Sequence, residues 1–210
     1  MNNLLILGAG GHGKVVAESA AAMGNWKEIA FLDNQFPELD SVLGWRVLGP
    51  WEETTDYFSR GYDVFLAMGD NALRYKWLGI LQDMGIEPAS IIHPAAWVSP
   101  SAKIGSGCAL FAGAVMNASA RLGAGSILNT GATVDHDCVL AESAHVSPGA
   151  HLAGGVTVGK RSWIGIGASV IEGVTIGSDV TIGAGSVVID NIPDGQRVAG
   201  VPARRIDTNE

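Results

Sequence analysis

The sequence predicts two domains of different class, a parallel α/β domain over residues 1–91 and a parallel β-helix over residues 92–210. Three observations carry this. From Ile92 to Val188 every sixth residue is aliphatic without exception, a period that fits neither an amphipathic helix nor an alternating strand. Four positions after each of these, from Ala96 to Ser186, stands Ala, Ser, Cys or Val, so each hexad turns one large and one small side chain inward. Before His93-Pro94 that period is absent, and short apolar runs alternate with helix-compatible stretches in the manner of a doubly wound sheet.

In the first domain, Asn3 to Leu7 reads as a buried strand, Gly8-Ala9-Gly10-Gly11-His12-Gly13 as a glycine turn, and the residues through about Met23 as a helix. Ile29 to Asp33 is a second strand, Val42 to Leu48 a short strand or hairpin, Asp63 to Met68 another strand and Ala72 to Met84 a helix; Ala89 to Ile92 leads into the repeat. The order is Rossmann-like. As a Walker A loop the glycine turn fails, because Val15 stands where a magnesium-binding Ser or Thr is required. As a dinucleotide fingerprint it matches Gly8, Gly10 and Gly13, with Asp33 at the end of the second strand. It also suits a nucleotide-sugar pocket, in which bare amides at a helix N-terminus hold a pyrophosphate and His12 adds a side-chain donor. A tight turn that binds nothing is the plain alternative. Fusion to a hexad solenoid favours the nucleotide sugar.

In the second domain each hexad is one short strand plus a corner, and three hexads close a triangular coil. The residue three after each large aliphatic is usually Gly, as at Gly107, Gly125 and Gly149, which suits a left-handed corner conformation; Asp137 and Asp179 can take the same slot. Cys108 and Cys138 both fall on small inward slots, so core packing is expected rather than a disulfide, as in a reducing cytoplasm. The formal charge of -8 disfavours nucleic acid or an anionic membrane as the main partner. Leu4 to Leu7 is too short for a signal peptide's apolar region, and no apolar run is long enough to span a bilayer.

Between Asn117 and His151 the bland outward residues give way to chemistry. His136 and Asp137 share a corner, His145 sits on the outward slot before Val146, and His151 takes the equivalent slot one face further on. A solvated corner histidine is the plain reading of His136. The functional one is a general base, since a carboxylate partner orients an imidazole and raises its basicity. No Ser or Cys lies in a nucleophile motif, which favours direct transfer over a covalent enzyme intermediate. Zinc shared between subunits is a weaker reading, because the three histidines lie on different corners and faces. Small outward residues such as Ala112, Ala118, Ala124 and Ala153, placed on strand faces, would suit close packing of subunits.

The chain resembles the bacterial hexapeptide-repeat acyltransferases that modify sugars and carry an N-terminal nucleotide-binding domain, namely the UDP-4-amino-sugar N-acetyltransferases and the related sialic acid O-acetyltransferases. The resemblance runs over nearly the whole length, through Gly8 to Gly13, Phe31-Leu32-Asp33, Met68-Gly69-Asp70, Ile92-His93-Pro94, Leu128-Asn129-Thr130, His136-Asp137-Cys138, His145 to Ala150 and Gly200 to Arg204. It implies a left-handed β-helix and a homotrimer with acetyl-CoA in the groove between neighbouring solenoids; on the histidine spacing no metal is expected. His136 would be the base and Asp137 its tuning acid, His145 would meet the thioester region, and Ile166 and Ala184 would line the pantetheine path. Gly10, Gly11, His12, Asp33, Asn34 and Gly69 would hold the UDP-sugar. Two positions depart from the pattern, Ala141 and Ala184, where relatives have Gly. The C-terminal Arg204 and Arg205 suit either a cap or the phosphates of coenzyme A, and Trp163, one coil from His145, suits subunit or cofactor contact. The implied activity is acetyl transfer to a sugar 4-amino group, with O-acetyl transfer, a γ-type carbonic anhydrase and a non-catalytic nucleotide-sugar scaffold as rivals.

Overall fold

A computed structural model describes residues 1–206 and separates into two compact units, Met1–Pro94 and a second that begins at Ala95. In the first, β1 (Asn3–Leu7) is the central strand of a three-stranded parallel sheet. Leu4, Leu5, Ile6 and Leu7 are all fully buried, which is why the run is continuously apolar rather than alternating. The chain then enters α1 (Gly11–Met23), which buries Val16, Ala17 and Ala20 and stops at Gly24 in the left-handed conformation. It returns as β2 (Ile29–Leu32), paired with β1 from Leu4↔Ile29 to Leu7↔Leu32.

Val42 to Leu48 resolves into a minimal hairpin, β3 (Ser41–Val42) and β4 (Trp45–Arg46). The sequence gives no warning of α2 (Thr54–Ser59), six residues of Thr, Asp, Ser and aromatics without an apolar period. Packing specifies it: Thr54 Oγ1 donates to the Trp51 carbonyl at 2.6 Å, and Tyr57 packs edge-on to Tyr62 and against the core. β5 (Tyr62–Leu66) completes the sheet on the other side of β1. α3 (Asn71–Asp83) follows, its first turn capped by the Asp70 carboxylate, which accepts the Leu73 N–H at 2.7 Å.

The second unit is the expected solenoid. Two-residue strands recur every six residues and stack into three parallel sheets, each residue pairing with the one eighteen further on, as in Val115↔Thr133, Arg121↔Val139 and Ile127↔His145, until the last coil, where Thr181 pairs with Arg197, sixteen on. The large slots Met116, Val134 and Leu152 and the small slots Ala114, Ala132 and Ala150 are buried to within 1%. Each fully buried aliphatic contributes about 1.5–3 kcal/mol, so the repeat is itself the core. The corners use positive φ as expected, at 60° for Asp137 and 57° for Asp179, and also where Gly and Asp are missing, at Ser119, Ser143 and Arg161. Arg161 is tied across one coil to Asp179 by two hydrogen bonds, of 2.7 and 2.5 Å.

Two details differ from expectation or sharpen it. Ala112, Ala118, Ala124 and Ala153 stand in or beside the corner turns, not on strand faces, which instead carry residues such as Thr133, His145, His151 and Trp163. Both cysteines are buried and neither forms a disulfide. At the end, Arg197–Ala199 joins the sheet of Thr181–Ile182, and Arg204–Arg205 folds back antiparallel onto it, covering an edge that would otherwise pair with another chain.

Candidate active site

Two acids flank His136, one holding its backbone and the other its imidazole. The chain leaves the strand Thr133–Val134 through Asp135, whose Oδ1 accepts the His136 backbone N–H at 2.8 Å and the Asn117 side-chain amide at 3.0 Å. Asp137 takes the left-handed corner conformation, and its Oδ2 then lies 2.9 Å from His136 Nδ1. A carboxylate can only accept, so Nδ1 carries the proton and Nε2 keeps a basic lone pair. Both side chains are more than half exposed, at 61% and 67%. The hydrogen bond to Asp137, aided by the charge of Asp135, lifts the His136 pKa above the usual imidazole value. Sequence reasoning did not single out Asp135, whose only mark is that it is a second acid flanking the histidine.

His145 lies on a different sheet, within a polar and aromatic row. Its Nε2 accepts from the Asn129 amide at 3.2 Å, and Trp163, paired with it one coil on, stacks at 6.3 Å between ring centroids with planes 22° apart. The indole N–H of Trp163 donates to Ser147 Oγ at 2.5 Å. Ile166, 58% exposed, and Ala184, also exposed, occupy the corner after that sheet, one above the other, with the Gly185 N–H donating to the Ile166 carbonyl at 2.8 Å. Within one chain, then, the structure unites His136 with Asp137 and Ile166 with Ala184, and keeps the two pairs on separate corners. His151 sits on another face, its Nδ1 2.9 Å from Thr133 Oγ1. Among the described residues no three His, Cys, Asp or Glu side chains gather as a metal site would require. Cys138 is buried, and burial pushes its thiol pKa up, away from nucleophile chemistry.

In the first unit the glycine turn is shaped by close approach. Gly8 has φ +107°, and a Cβ at Gly13 would collide with the Gly8 carbonyl. Gly10, Gly11 and Gly69 are the reverse: nothing lies within 4 Å of where their Cβ would be, so a ligand can reach the backbone there. Asp33 staples the turn, its Oδ2 accepting the Ala9 N–H at 2.8 Å and its Oδ1 the Gln35 N–H at 3.0 Å. Asn34 Oδ1 likewise accepts the Trp51 N–H at 3.0 Å. Asp33 therefore ties the loop after β2 to the glycine turn, and Asn34 ties it to the start of the helical segment at Trp51. Burial, and then the Arg74 charge, push the His12 pKa down to about 4, so its imidazole is neutral near pH 7.

Comparison with known proteins agrees with this division. Residues 3–81 match the PglD N-terminal domain and residues 155–190 the bacterial transferase hexapeptide of six repeats. UDP-N-acetylbacillosamine N-acetyltransferase of Bacillus subtilis is 41% identical over 117 residues, 53% of this chain; the match spans about half of that curated relative, 52%. The acetyltransferase domain of PglB from Neisseria gonorrhoeae, solved with acetyl coenzyme A, is 45% identical with a TM-score of 0.92, covering 98% of this chain and 99% of its own. PerB from Caulobacter crescentus, solved with CoA and GDP-perosamine, is 42% identical with a TM-score of 0.92, covering 99% of this chain and 98% of its own. The chain belongs to the hexapeptide-repeat sugar acetyltransferases, in which an α/β nucleotide-binding domain precedes a left-handed β-helix.

Proposed function

We propose that the protein is a cytoplasmic homotrimeric enzyme that moves the acetyl group of acetyl-CoA to the 4-amino group of a UDP-linked amino-deoxy sugar, for surface glycan or glycoprotein synthesis. The observation that carries this is the exposed His136, with Nδ1 committed to Asp137 and Nε2 left as a base. The amine nitrogen attacks the thioester carbonyl carbon while Nε2 accepts its proton. The tetrahedral intermediate collapses, the C–S bond breaks, and the imidazolium proton passes to the departing thiolate. The acetyl-CoA groove between solenoids is supported by the separate corners of His136 and of Ile166 and Ala184: a site using both is completed by a second copy. The UDP-sugar would lie over the open amides of Gly10, Gly11 and Gly69, beside His12, with Asp33 and Asn34 at the rim.

Free thiol release from acetyl-CoA across UDP-linked amino sugars and their hydroxyl counterparts tests the assignment. Turnover with amines only is expected; turnover with hydroxyls only would make the enzyme an O-acetyltransferase. A guanosine-linked amino sugar is the second reading, favoured by the relative bound to GDP-perosamine, and belongs in the same panel.

A further inference from the structure

Arg74 is one of the largest side chains in the protein to be fully buried, at 1% exposure, and it is a cation. A buried charge is retained only where its donors are met, and here they are met by the turn between β5 and α3. Nη1 donates to the Met68 carbonyl at 2.7 Å, with longer contacts to the carbonyls of Gly69 at 3.4 Å and Asp70 at 3.5 Å. Nη2 donates to Asn71 Oδ1 at 2.7 Å. In a trans peptide the C=O and the next N–H point in opposite directions. The Met68 carbonyl, and more weakly that of Gly69, drawn toward the guanidinium therefore turn the N–H groups of Gly69 and Asp70 away from it, while the Asp70 carbonyl also accepts the Arg74 backbone N–H at 3.0 Å, which sets the Asn71 N–H. These amides lead into α3 through its N-cap Asp70, and beside them Gly69 leaves the space above its Cα empty. The same cation lies close enough to His12, on the first turn of α1, to disfavour a charged imidazole there.

Resting on the nucleotide-sugar assignment above, we propose that Arg74 is the positioning residue of the diphosphate site. Without touching the ligand, it orients the 68–71 turn so that a second set of backbone amides faces the phosphates from α3, complementing those of the glycine turn at α1. Fixed donors that need no rearrangement on binding give affinity for an anion at little entropic cost.

The test is made on the full-length enzyme with UDP and the accepted nucleotide sugar. Wild-type binding of a nucleoside diphosphate by calorimetry comes first; its absence would sink the nucleotide-sugar assignment itself. Given that binding, Arg74→Met should raise the KM for nucleotide sugar and the Kd for UDP by about 10–100-fold, as expected for lost bonds to a charged donor, with the KM for acetyl-CoA unchanged. Arg74→Lys, which restores the charge and one strong donor, should recover part of the loss. NMR titration of His12 in Arg74→Met should move its pKa upward, which a purely structural change elsewhere would not do. Wild-type UDP affinity in a folded Arg74→Met would overturn the proposal. So would equal damage to both substrates, or unfolding of both variants, either of which would leave Arg74 a structural residue only.

Discussion

The His136 imidazole lies against the bare Cα of Gly154 on the neighbouring coil: a Cβ there would stand 2.5 Å from both Cε1 and Nε2 of the ring. Gly154→Ala should therefore push the ring away from Asp137 and lower kcat by about 10–100-fold, since small misplacements of a catalytic group carry costs of that size. Its φ is not in the left-handed region, so the melting temperature should change little. Full activity in Gly154→Ala would show that the ring does not work from this position.

Removing the base has a different signature. His136→Ala should cut kcat by about 10²–10⁴ with the KM for acetyl-CoA preserved, and Asp137→Asn should lose less, because the imidazole remains. Steady-state kinetics on both variants decide this, and wild-type turnover in His136→Ala would end the assignment.

The pH profile follows from the raised His136 pKa. A base works when unprotonated, so kcat/KM should rise with pH through a midpoint above the ordinary imidazole value. Asp137→Asn removes the largest cause of the shift and should move the midpoint to lower pH; Asp135→Asn should move it less. A midpoint that ignores both substitutions would assign the titration to another group.

Asp33 holds the glycine turn through the Ala9 N–H and its own loop through the Gln35 N–H. Asp33→Ala should raise the KM for nucleotide sugar and leave that for acetyl-CoA unchanged, and UDP should raise the melting temperature where NAD does not. Thermal stabilisation by NAD alone would return the turn to a dinucleotide role.

The repeat was legible because a solenoid repeats its environment: each hexad slot has one neighbourhood, so one residue class serves it from Ile92 to Val188. His136 was visible for the same reason, as an imidazole on a corner of a surface otherwise bland. Gly154 could have been found, since the corner slot needs only Gly155 and a second glycine beside it demands a reason. Arg74 could not. Its partners are backbone carbonyls, which leave no mark on the residues that bear them. Asp33 was visible as an acid at a strand end, but its contact with the Ala9 amide spans 24 residues, and nothing in spacing says which way a carboxylate turns. α2 was missed because tertiary packing overrode weak local preference.

Pairing each strand residue from Trp97 to Val170 with the one eighteen further on sets the terms on which this domain can change length. Loss of a single residue inside a coil would turn every later aliphatic off the axis. Loss of one hexad between Asp137 and Ile166 would keep the core but rotate all later corners by one face, carrying Ile166 and Ala184 to a different edge of the solenoid from the one proposed to meet a second copy's His136. Changes that keep both the core and the corner positions are therefore whole coils outside the stretch from Asp137 to Ala184, or loops thrown outward at corners, and natural variants of this chain should differ in those ways.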